Sequence, residues 1–317
     1  MTARGSAAIL AEGLARTYGE VRAVDGIDLH VTPGEIYGFL GPNGAGKSTT
    51  VRMLTTLARP SGGRAVVAGH DVATEPDAVR LRIGVALQEA ALDAKQTGRE
   101  LLDLQGRLYG LTRAERAQRS DDLARLVDLG SALDRRVGTY SGGMKRRLDL
   151  ALALVHHPEV LFLDEPTTGL DPASRAMVWA EVRRLNVEQG MTIFLTTQYL
   201  EEADELAHRV GIIAAGRIVA EGTPAALKRA IGTDVIVARV HGDLAAARIA
   251  VAAVPGVERV EIHGEELTAS VADGAAALSP VAVALAGCGV HVAGITLRTP
   301  TLDDVFLETT GRHLEAS

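Results

Sequence analysis

Residues 41–49 read Gly41-Pro42-Asn43-Gly44-Ala45-Gly46-Lys47-Ser48-Thr49, and this stretch decides which kind of fold the chain can adopt. It fits the pattern G-x-x-x-x-G-K-[ST] of a loop that holds phosphate groups. Residues 35–40 before it have the character of a short buried strand. Residues 48–58 after it place apolar side chains on one face of a helix. Because strand, loop and helix all fit, the sequence predicts a nucleoside triphosphate site and not a glycine-rich turn followed by a lysine.

Each part of the loop has a physical role toward a polyphosphate. The glycines let successive backbone N–H groups turn inward around the phosphates. The start of the following helix adds free N–H groups and the positive end of the helix dipole. Lys47 can reach the β- and γ-phosphates, and the hydroxyl of Ser48 can ligate Mg²⁺. The loop by itself does not say what the energy of the triphosphate is used for.

The composition sets limits on the class of protein. The chain has 317 residues, which favours two domains. Apolar residues make up 47% and charged residues 23%, as in ordinary globular proteins. The net charge of −7 argues against a general nucleic-acid binder, so we expect no nucleic-acid partner. Cys288 is the only cysteine, which excludes an intramolecular disulfide and fits a reducing cytosol.

The uncharged run at residues 274–297 is long enough to cross a membrane. It is interrupted by Pro280, Gly287, Gly289 and Gly294, and much of the rest is alanine. We therefore expect a helix that ends at residues 287–289, followed by a strand. No secretory signal is visible near the beginning of the sequence. The sequence predicts a chain that does not cross a membrane but can still lie against one.

Strands alternate with helices through the first two thirds of the chain, which predicts a mostly parallel α/β sheet covered on both faces. Residues 98–137 have only helical periodicity, so we expect a helical insertion there. Arg113, Arg116 and Arg119 share one face of it, and we expect that face to be solvated. After residue 231 the order of elements is β-α-β-β-α-β, which predicts a small α+β domain of the ferredoxin-like type. The predicted domains are residues 1–231, with a helical subdomain at about 90–150, and residues 232–317.

A pair of acidic residues follows the apolar run at residues 160–163, which is typical of a central parallel strand. In phosphate-loop NTPases an aspartate at the place of Asp164 helps to hold Mg²⁺. Glu165 is placed to orient or deprotonate an attacking water. Gln88 ends another predicted strand, and its amide can contact both the Mg²⁺ shell and the water. The alternative, a surface acid pair, is disfavoured by Pro166 and by the phosphate loop upstream.

The order of these motifs resembles the ATP-binding subunits of ABC transporters over about residues 8–230. The most specific motif is Ser141-Gly142-Gly143, which lies between the phosphate loop and the acid pair, where other phosphate-loop ATPases lack it. Residues 88–93, 196–204 and 302–307 are similar to the drug-exporter branch typified by daunorubicin- and doxorubicin-resistance ATPases, which extends the resemblance to nearly the whole chain. The motifs that carry the first resemblance are Tyr18, Gly41–Thr49, Gln88, Ser141–Lys145, Leu161–Pro166, Gly169–Asp171 and Gln198.

The resemblance implies that the chain is an ATPase with ATP and Mg²⁺ as cofactors. Tyr18 would stack on the adenine and residues 41–49 would hold the phosphates, with Ser48, Gln88 and Asp164 around the metal. Ser141 and the N–H groups of Gly142 and Gly143 would bind the γ-phosphate of ATP held by a second copy, and Asp171 would lie at that seam. One loop and one signature per chain thus imply a head-to-tail homodimer. The helical insertion would receive the coupling helices of an integral-membrane permease, at the cytoplasmic face of the cell membrane.

Gln198 departs from the pattern, because most of the family has a histidine there. Histidine can carry a positive charge toward the γ-phosphate and glutamine cannot. The drug-exporter branch resembles this chain at this position too, so we interpret Gln198 as a variant of the catalytic switch, beside Glu165 and Gln88. The sequence does not tell how this replacement changes the rate of hydrolysis.

Three functions remain to be compared. The sequence favours the ATP-hydrolysing subunit of an export pump for a drug or antibiotic-like small molecule. A soluble ABC-type ATPase acting on ribosomes or DNA usually has two cassettes in one chain or a long coiled-coil insertion, and neither is visible. A small-molecule kinase could use the same phosphate loop, but the signature at residues 141–143 argues against it.

Overall fold

The computed structural model of the protein describes residues 7–88 and 92–310. The chain divides into two compact units, of which the first extends to Pro224 and the second begins at Ala225. Across the described ranges, every helix is too short or too polar to cross a membrane.

The first unit contains an antiparallel sheet, a mainly parallel sheet and a helical segment. Its strands are β1 (Ile9–Tyr18), β2 (Val21–Val31), β3 (Ile36–Leu40), β4 (Gly62–Val67), β5 (His70–Asp71), β6 (Ile83–Ala86), β7 (Val160–Asp164), β8 (Thr192–Thr197), β9 (Arg209–Ala214) and β10 (Arg217–Gly222). Its α-helices are α1 (Lys47–Leu54), α2 (Pro76–Arg80), α3 (Gly98–Leu108), α4 (Arg113–Leu126), α5 (Gly142–Ala153), α6 (Pro172–Gln189) and α7 (Leu200–Leu206). Helix α8 (Pro224–Ile231) follows at the boundary of the two units.

The mainly parallel sheet positions the site. Its strand order is β10-β9-β3-β8-β7-β6, and only β10 runs antiparallel to its neighbour. Strands β3, β7 and β8 are buried throughout, as their apolar sequences predict. The ring of Phe194 packs against those of Tyr37, Phe39 and Phe162 at 5.4–5.6 Å between centroids. The loops that follow β3, β6, β7 and β8 therefore leave the same edge of the sheet.

The antiparallel sheet has the order β2-β1-β4-β5. Strand β1 pairs with β2 on one side and with β4 on the other. Its inward side chains pack in one core cluster with Tyr37 and Phe39 of the parallel sheet and with Val51 of α1. The helix that leaves the phosphate loop is thus held between two sheets.

The helical segment predicted at residues 98–137 is present as α3, α4 and two short 3-10 helices at Gly130–Asp134 and Val137–Thr139. Thr97 and Thr112 each begin a helix with a reciprocal capping box. The prediction that Arg113, Arg116 and Arg119 form one solvated face is wrong for two of them. The guanidinium of Arg116 is largely buried and bonds to Asp103, and Arg119 donates to two backbone carbonyls. The spacing of charged residues in the sequence does not show which acceptors these two arginines bond to.

Helix α1 is shorter than the sequence predicts. We expected a helix over residues 48–58, but it ends at Leu54. Thr56 has a φ of 63°, in the left-handed region, and this conformation cannot continue a right-handed helix. The last apolar residue of the predicted stripe, Leu57, is consequently exposed.

The second unit has the predicted β-α-β-β-α-β order. It comprises β11 (Asp234–His241), α9 (Leu244–Ala252), β12 (Val257–His263), β13 (Glu266–Val271), α10 (Gly274–Gly287) and β14 (His291–Arg298), followed by α11 (Leu302–Thr310). The strand order β12-β13-β11-β14, with antiparallel pairing throughout, is that of a ferredoxin-like sheet. The uncharged run at residues 274–297 is a helix, a turn and a strand, as predicted.

Candidate nucleotide site

The loop after β3 has backbone requirements that only glycine meets. A Cβ atom at Gly41 would lie 2.4 Å from the carbonyl oxygen of Ile213. Gly46 has a φ of 112°, and a Cβ there would lie 2.6 Å from the carbonyl oxygen of Ala23. Both positions therefore exclude a side chain, since the clash in each case is with backbone.

Helix α1 begins at Lys47 with Gly46 as its N-cap, and no side chain caps it. Ala45 and Gly46 are buried, whereas Asn43 and Gly44 are exposed and Ser48 and Thr49 are half-buried. The loop thus presents its outer turn and the first hydroxyl groups of the helix to solvent. The first N–H groups of an α-helix have no partner within the helix, so this end is a ready anion site.

The side chain of Lys47 folds back over the loop. Its Nζ donates to the carbonyl oxygen of Gly41 at 2.7 Å and lies 3.5 Å from Oε1 of Glu165. Both side chains are less than 10% exposed. Burial lowers the pKa of Lys47, while the neighbouring carboxylates of Glu165 and Asp164 act in the opposite direction. A desolvated cation therefore lies at the base of the loop.

The acid pair at the end of β7 is held by Thr196 of β8. Its hydroxyl donates to Oδ1 of Asp164 at 2.5 Å, and its carbonyl oxygen accepts from the N–H of Glu165 at 3.0 Å. Glu165 directly follows the strand and has a φ of 49°, in the left-handed region. The Nε2 of Gln88 donates to Oε2 of Glu165 at 3.2 Å. The structure thus brings Lys47, Gln88, Asp164 and Glu165 into one cluster.

Gln198 leaves the same edge of the sheet. It follows β8, which ends at Thr197, and is half-buried. The next helix, α7, begins at Leu200 with Tyr199 as its N-cap. The N–H of Tyr199 donates to the hydroxyl of Thr197 at 2.9 Å, which fixes the turn that contains Gln198.

Tyr18 is at the end of β1, and 44% of its surface is exposed. The guanidinium carbon of Arg16 lies 4.5 Å from the centre of its ring. This distance is within the range of a cation–π contact, which holds the ring from one face. The position is therefore a surface aromatic and not a core tyrosine.

The signature residues and Asp171 form a second group. Ser141 is the N-cap of α5, and its Oγ accepts from the N–H of Met144 at 3.3 Å. Asp171 is the N-cap of α6 and accepts from the N–H and the hydroxyl of Ser174. A Cβ at Gly143 would lie 3.1 Å from Oγ of Ser174, so the two helix starts are neighbours. The backbone N–H of Ser174 lowers the pKa of Asp171, which favours its charged form.

Sequence reasoning missed two polar residues that hold these loops. Arg146 of α5 donates to backbone carbonyls on both sides of Glu165. Glu202 of α7 is fully buried, and its Oε1 accepts from the hydroxyl of Thr167 at 3.0 Å and from the indole N–H of Trp179 at 2.9 Å. Burial raises the pKa of Glu202. Two sequence features could have pointed to these residues. Arg146 lies in a basic run that follows the signature at residues 145–147, and Glu202 belongs to an acidic pair in the first turn of α7.

Comparison with known proteins agrees with this geometry. The profile of the family described as ABC transporter matches residues 24–168, and that described as the C-terminal domain of DrrA1-3-like ATP-binding proteins matches residues 222–310. The daunorubicin resistance ATP-binding protein DrrA3 of Streptomyces coeruleorubidus is 51% identical to this chain over 96% of both. Nod factor export ATP-binding protein I of Paraburkholderia xenovorans is 44% identical over 98% of this chain and 99% of its own length.

A solved structure supports the fold of the first unit. The protein cbiO1 of Clostridium perfringens, part of the ABC transporter complex cbiONQ, superposes with a TM-score of 0.65 at 26% identity. The match covers 71% of this chain and 93% of that one. The family and the ATPase fold predicted from the sequence are thus confirmed. The chain belongs to the ATP-binding proteins of the ABC transporter family, with an ATPase cassette followed by a C-terminal domain of the DrrA type.

Proposed function

We propose that the chain is the ATP-hydrolysing subunit of an export pump that removes a drug or antibiotic-like small molecule through a separate membrane permease. The observation that carries this proposal is the buried contact between Lys47 and Glu165, beside Gln88, at one edge of the parallel sheet. It places a phosphate-binding cation next to a candidate general base. The names of the two relatives, which refer to daunorubicin resistance and Nod factor export, support outward transport.

In this proposal residues 41–49 hold the phosphates of ATP. Lys47 exchanges its bond to the Gly41 carbonyl for bonds to the β- and γ-phosphates. Ser48, Asp164 and Gln88 would hold Mg²⁺. The donors they offer are a hydroxyl, a carboxylate and an amide oxygen, and these are the hard oxygen ligands that Mg²⁺ prefers. The ion would neutralise charge on the phosphates.

Glu165 acts as the general base for the attacking water. Its carboxylate is oriented by the Gln88 amide and by Lys47, and its backbone is fixed by Thr196. A base held in one orientation contributes to the rate through positioning as well as through proton transfer. The amide of Gln198 donates to a γ-phosphate oxygen from the neighbouring loop.

Tyr18 stacks on the adenine in this proposal. The Arg16 guanidinium covers one face of the ring, and the ring is exposed enough to receive a base on the other. An aromatic ring and a purine stack through offset contacts that need little specificity. The stack therefore fits a nucleotide whose phosphates, and not its base, supply most of the binding energy.

A homodimer completes each ATP site. Ser141 and Gly142 are exposed at the start of α5, where the positive end of the helix dipole faces outward. In this proposal the start of α5, with Gly143, binds the γ-phosphate of ATP held by a second copy. Asp171 lies at the seam because Ser174 holds it beside Gly143. Two copies in head-to-tail arrangement then enclose two ATP molecules.

A groove in the first unit is suited to a permease helix, at the cytoplasmic face of the membrane. It has a volume of about 420 Å³ and is lined mainly by apolar and aromatic side chains, among them Leu57, Leu92 and Tyr109. On the neighbouring helix α3, Leu108 is 72% exposed. An amphipathic helix binds such grooves through its apolar face. Exposed apolar surface of this kind is a marker of interaction sites.

The proposal is tested in two steps. The variant Glu165→Gln should bind ATP, hydrolyse it slowly and elute as a dimer from size-exclusion chromatography with ATP. Adding Ser141→Arg should return it to a monomer because bulk and charge then lie at the seam. Normal ATP binding by a protein that stays monomeric at all concentrations would contradict the composite site.

The second step concerns the permease. The chain should sediment with membranes only when co-expressed with the hydrophobic protein of an adjacent reading frame. Leu108→Glu should weaken this association, whereas Val187→Glu, at a similarly exposed position on α6, should not. Equal membrane association with and without the permease would contradict the proposed coupling.

A further inference from the structure

Arg146 makes four polar contacts from one guanidinium that is 11% exposed. Its Nη1 donates to the carbonyl oxygen of Leu87 at 2.5 Å and to Oδ2 of Asp149 at 3.1 Å. Its Nε donates to the carbonyl oxygen of Pro166 at 2.9 Å, and its Nη2 to that of Asp164 at 3.1 Å. Three of these four acceptors are backbone atoms of loops at the candidate ATP site.

The positions of the three carbonyls matter because they flank the catalytic side chains. Leu87 precedes Gln88, and Asp164 and Pro166 stand on either side of Glu165. The amide of Gln88 already contacts the carboxylate of Glu165. Arg146 therefore fixes the backbone beneath both partners of that contact. A rigid planar fork can do this because its donors lie on three separate nitrogens, whereas the three N–H donors of an ammonium group all start from a single nitrogen.

Arg146 belongs to the helix whose start is the signature. It follows the N-cap, Ser141, by five residues on α5, which corresponds to about 7.5 Å along a helix axis. An α-helix transmits a displacement of one end to side chains in its second turn because its backbone bonds are continuous. The signature end and the two catalytic loops are thus joined through one short rigid element.

We propose that Arg146 is a positioning residue that couples the signature of a chain to the Gln88 and Glu165 loops of the same chain. This inference rests on the proposed function, in which the signature contacts ATP held by a second copy. When Ser141–Gly143 of one chain bind the ATP held by the second copy, Arg146 then sets the geometry of the catalytic loops at the ATP site of its own chain. The two sites of the dimer are coupled through α5 of each chain.

Arg119 is a matched control for this role. It is also an arginine that bonds α5, but at the opposite end. Its Nη2 donates to the carbonyl oxygen of Leu154 at 2.6 Å, and its Nε to that of Val155 at 3.2 Å. Burial lowers the pKa of both guanidinium groups. Substitution of either should destabilise the fold, but only Arg146 contacts the catalytic loops.

The experiment compares the full-length parent with Arg146→Met, Arg146→Lys and Arg119→Met. Steady-state ATPase rates against ATP concentration give kcat and KM, and thermal unfolding reports stability. We expect Arg146→Met to lower kcat roughly ten- to a hundred-fold, the size of a misplacement effect, with KM changed less than about twofold. Arg146→Lys should recover part of the kcat that Arg146→Met loses. Arg119→Met should lose as much stability as Arg146→Met but keep its kcat within about twofold of the parent.

The coupling itself is tested by a double-mutant cycle. If Arg146 transmits the effect of the signature, Ser141→Ala and Arg146→Met should lower kcat non-additively, and the double variant should be close to the slower single variant. Ser141→Ala combined with Arg119→Met should be additive. Additive effects with Arg146→Met would overturn the coupling.

Failure of this inference can be told apart from failure of the proposed function. If the parent hydrolyses ATP and its Glu165→Gln variant forms an ATP-dependent dimer, yet Arg146→Met and Arg119→Met lose kcat equally, Arg146 is only structural and the inference is wrong. If the parent neither hydrolyses ATP nor forms that dimer, the proposed function fails first. Should Arg146→Met not fold, Arg146→Lys provides the same comparison, because it keeps the buried charge.

Discussion

The ammonium nitrogen of Lys47 lies 3.5 Å from Oε1 of Glu165, and both side chains are almost fully buried. The proposed phosphate-binding cation is therefore paired with the candidate general base. Its other bonds are to its own loop, at 2.7 Å to the carbonyl oxygen of Gly41 and at 3.4 Å to that of Pro42. A polyphosphate that enters the loop competes with the Glu165 carboxylate and with the loop carbonyls for the ammonium group of Lys47. The contacts that hold Lys47 before nucleotide binding are therefore the ones that the phosphates replace.

Glu165→Gln should weaken the protein without ATP and strengthen its hold on ATP. Removing the carboxylate leaves Lys47 as a buried charge without its partner, which is costly, and a phosphate then supplies the missing counter-charge. We expect a lower unfolding temperature without nucleotide and a larger rise on addition of ATP. Thermal unfolding and titration calorimetry measure the two effects.

The control for this experiment is Lys47→Ala, which removes the cation itself. It should cost about 1.5–3 kcal/mol of ATP binding, the value of a charged hydrogen bond. An ATP affinity of Glu165→Gln below that of the parent would contradict the competition between carboxylate and phosphate.

Gln198 should affect hydrolysis more than binding. If its amide donates to the γ-phosphate mainly in the transition state, Gln198→Ala should lower kcat roughly ten- to a hundred-fold, which corresponds to about 1.5–3 kcal/mol. Gln198→His should remain active and acquire a pH dependence near the histidine pKa of about 6.5, which the parent lacks. ATPase rates between about pH 5.5 and 8.5 decide, since this range brackets that pKa.

Gln189→Ala, at an exposed position near the end of α6, serves as the control for Gln198 and should leave the rate unchanged. A Gln198→Ala variant as fast as the parent would remove Gln198 from the site. Its location two residues before α7 would then serve only to shape the turn.

Asp149 should make stability fall as the pH rises through about 6. Burial raises the pKa of its carboxyl from 3.8 to about 6, although Arg146 acts in the opposite direction. Between these two values the unfolded chain has released the proton and the folded chain has kept it, so a rise in pH favours unfolding. From about pH 5 to about pH 7.5 the parent should lose about 1.4 kcal/mol relative to Asp149→Asn, the equivalent of one pKa unit.

Urea unfolding at the two pH values measures this difference. Asp128→Asn is the control, because the Asp128 side chain is 96% exposed. A parent and an Asp149→Asn variant that lose stability in parallel would show that Asp149 does not titrate in this range.

The sequence predicted the phosphate loop and the acid pair because both are local patterns. Gly41 and Gly46 are required by the backbone of the loop itself, and Asp164 and Glu165 follow a strand that is visible as an apolar run. The ferredoxin-like domain was predictable for the same reason. Its helices and strands alternate with clear turns, such as Gly264, which has a φ of 63°.

The role of Arg146 could not be predicted from the sequence. Its acceptors are backbone carbonyls, which every residue has, and they lie 18 to 59 positions away along the chain. Arg119 shows the same difficulty, because its acceptors are carbonyls at the end of another helix. A basic residue on a polar helix face has the same sequence pattern whether it meets water or a buried carbonyl.

Trp179 is the only tryptophan of the chain, and its indole N–H donates to the same oxygen of Glu202 that the hydroxyl of Thr167 contacts. Thr167 is two residues after Glu165, and Glu202 is four residues after Gln198. Tryptophan emission therefore originates from one point, next to the loops of the candidate ATP site. The wavelength and intensity of the Trp179 emission can therefore report nucleotide-driven motion in unlabelled protein.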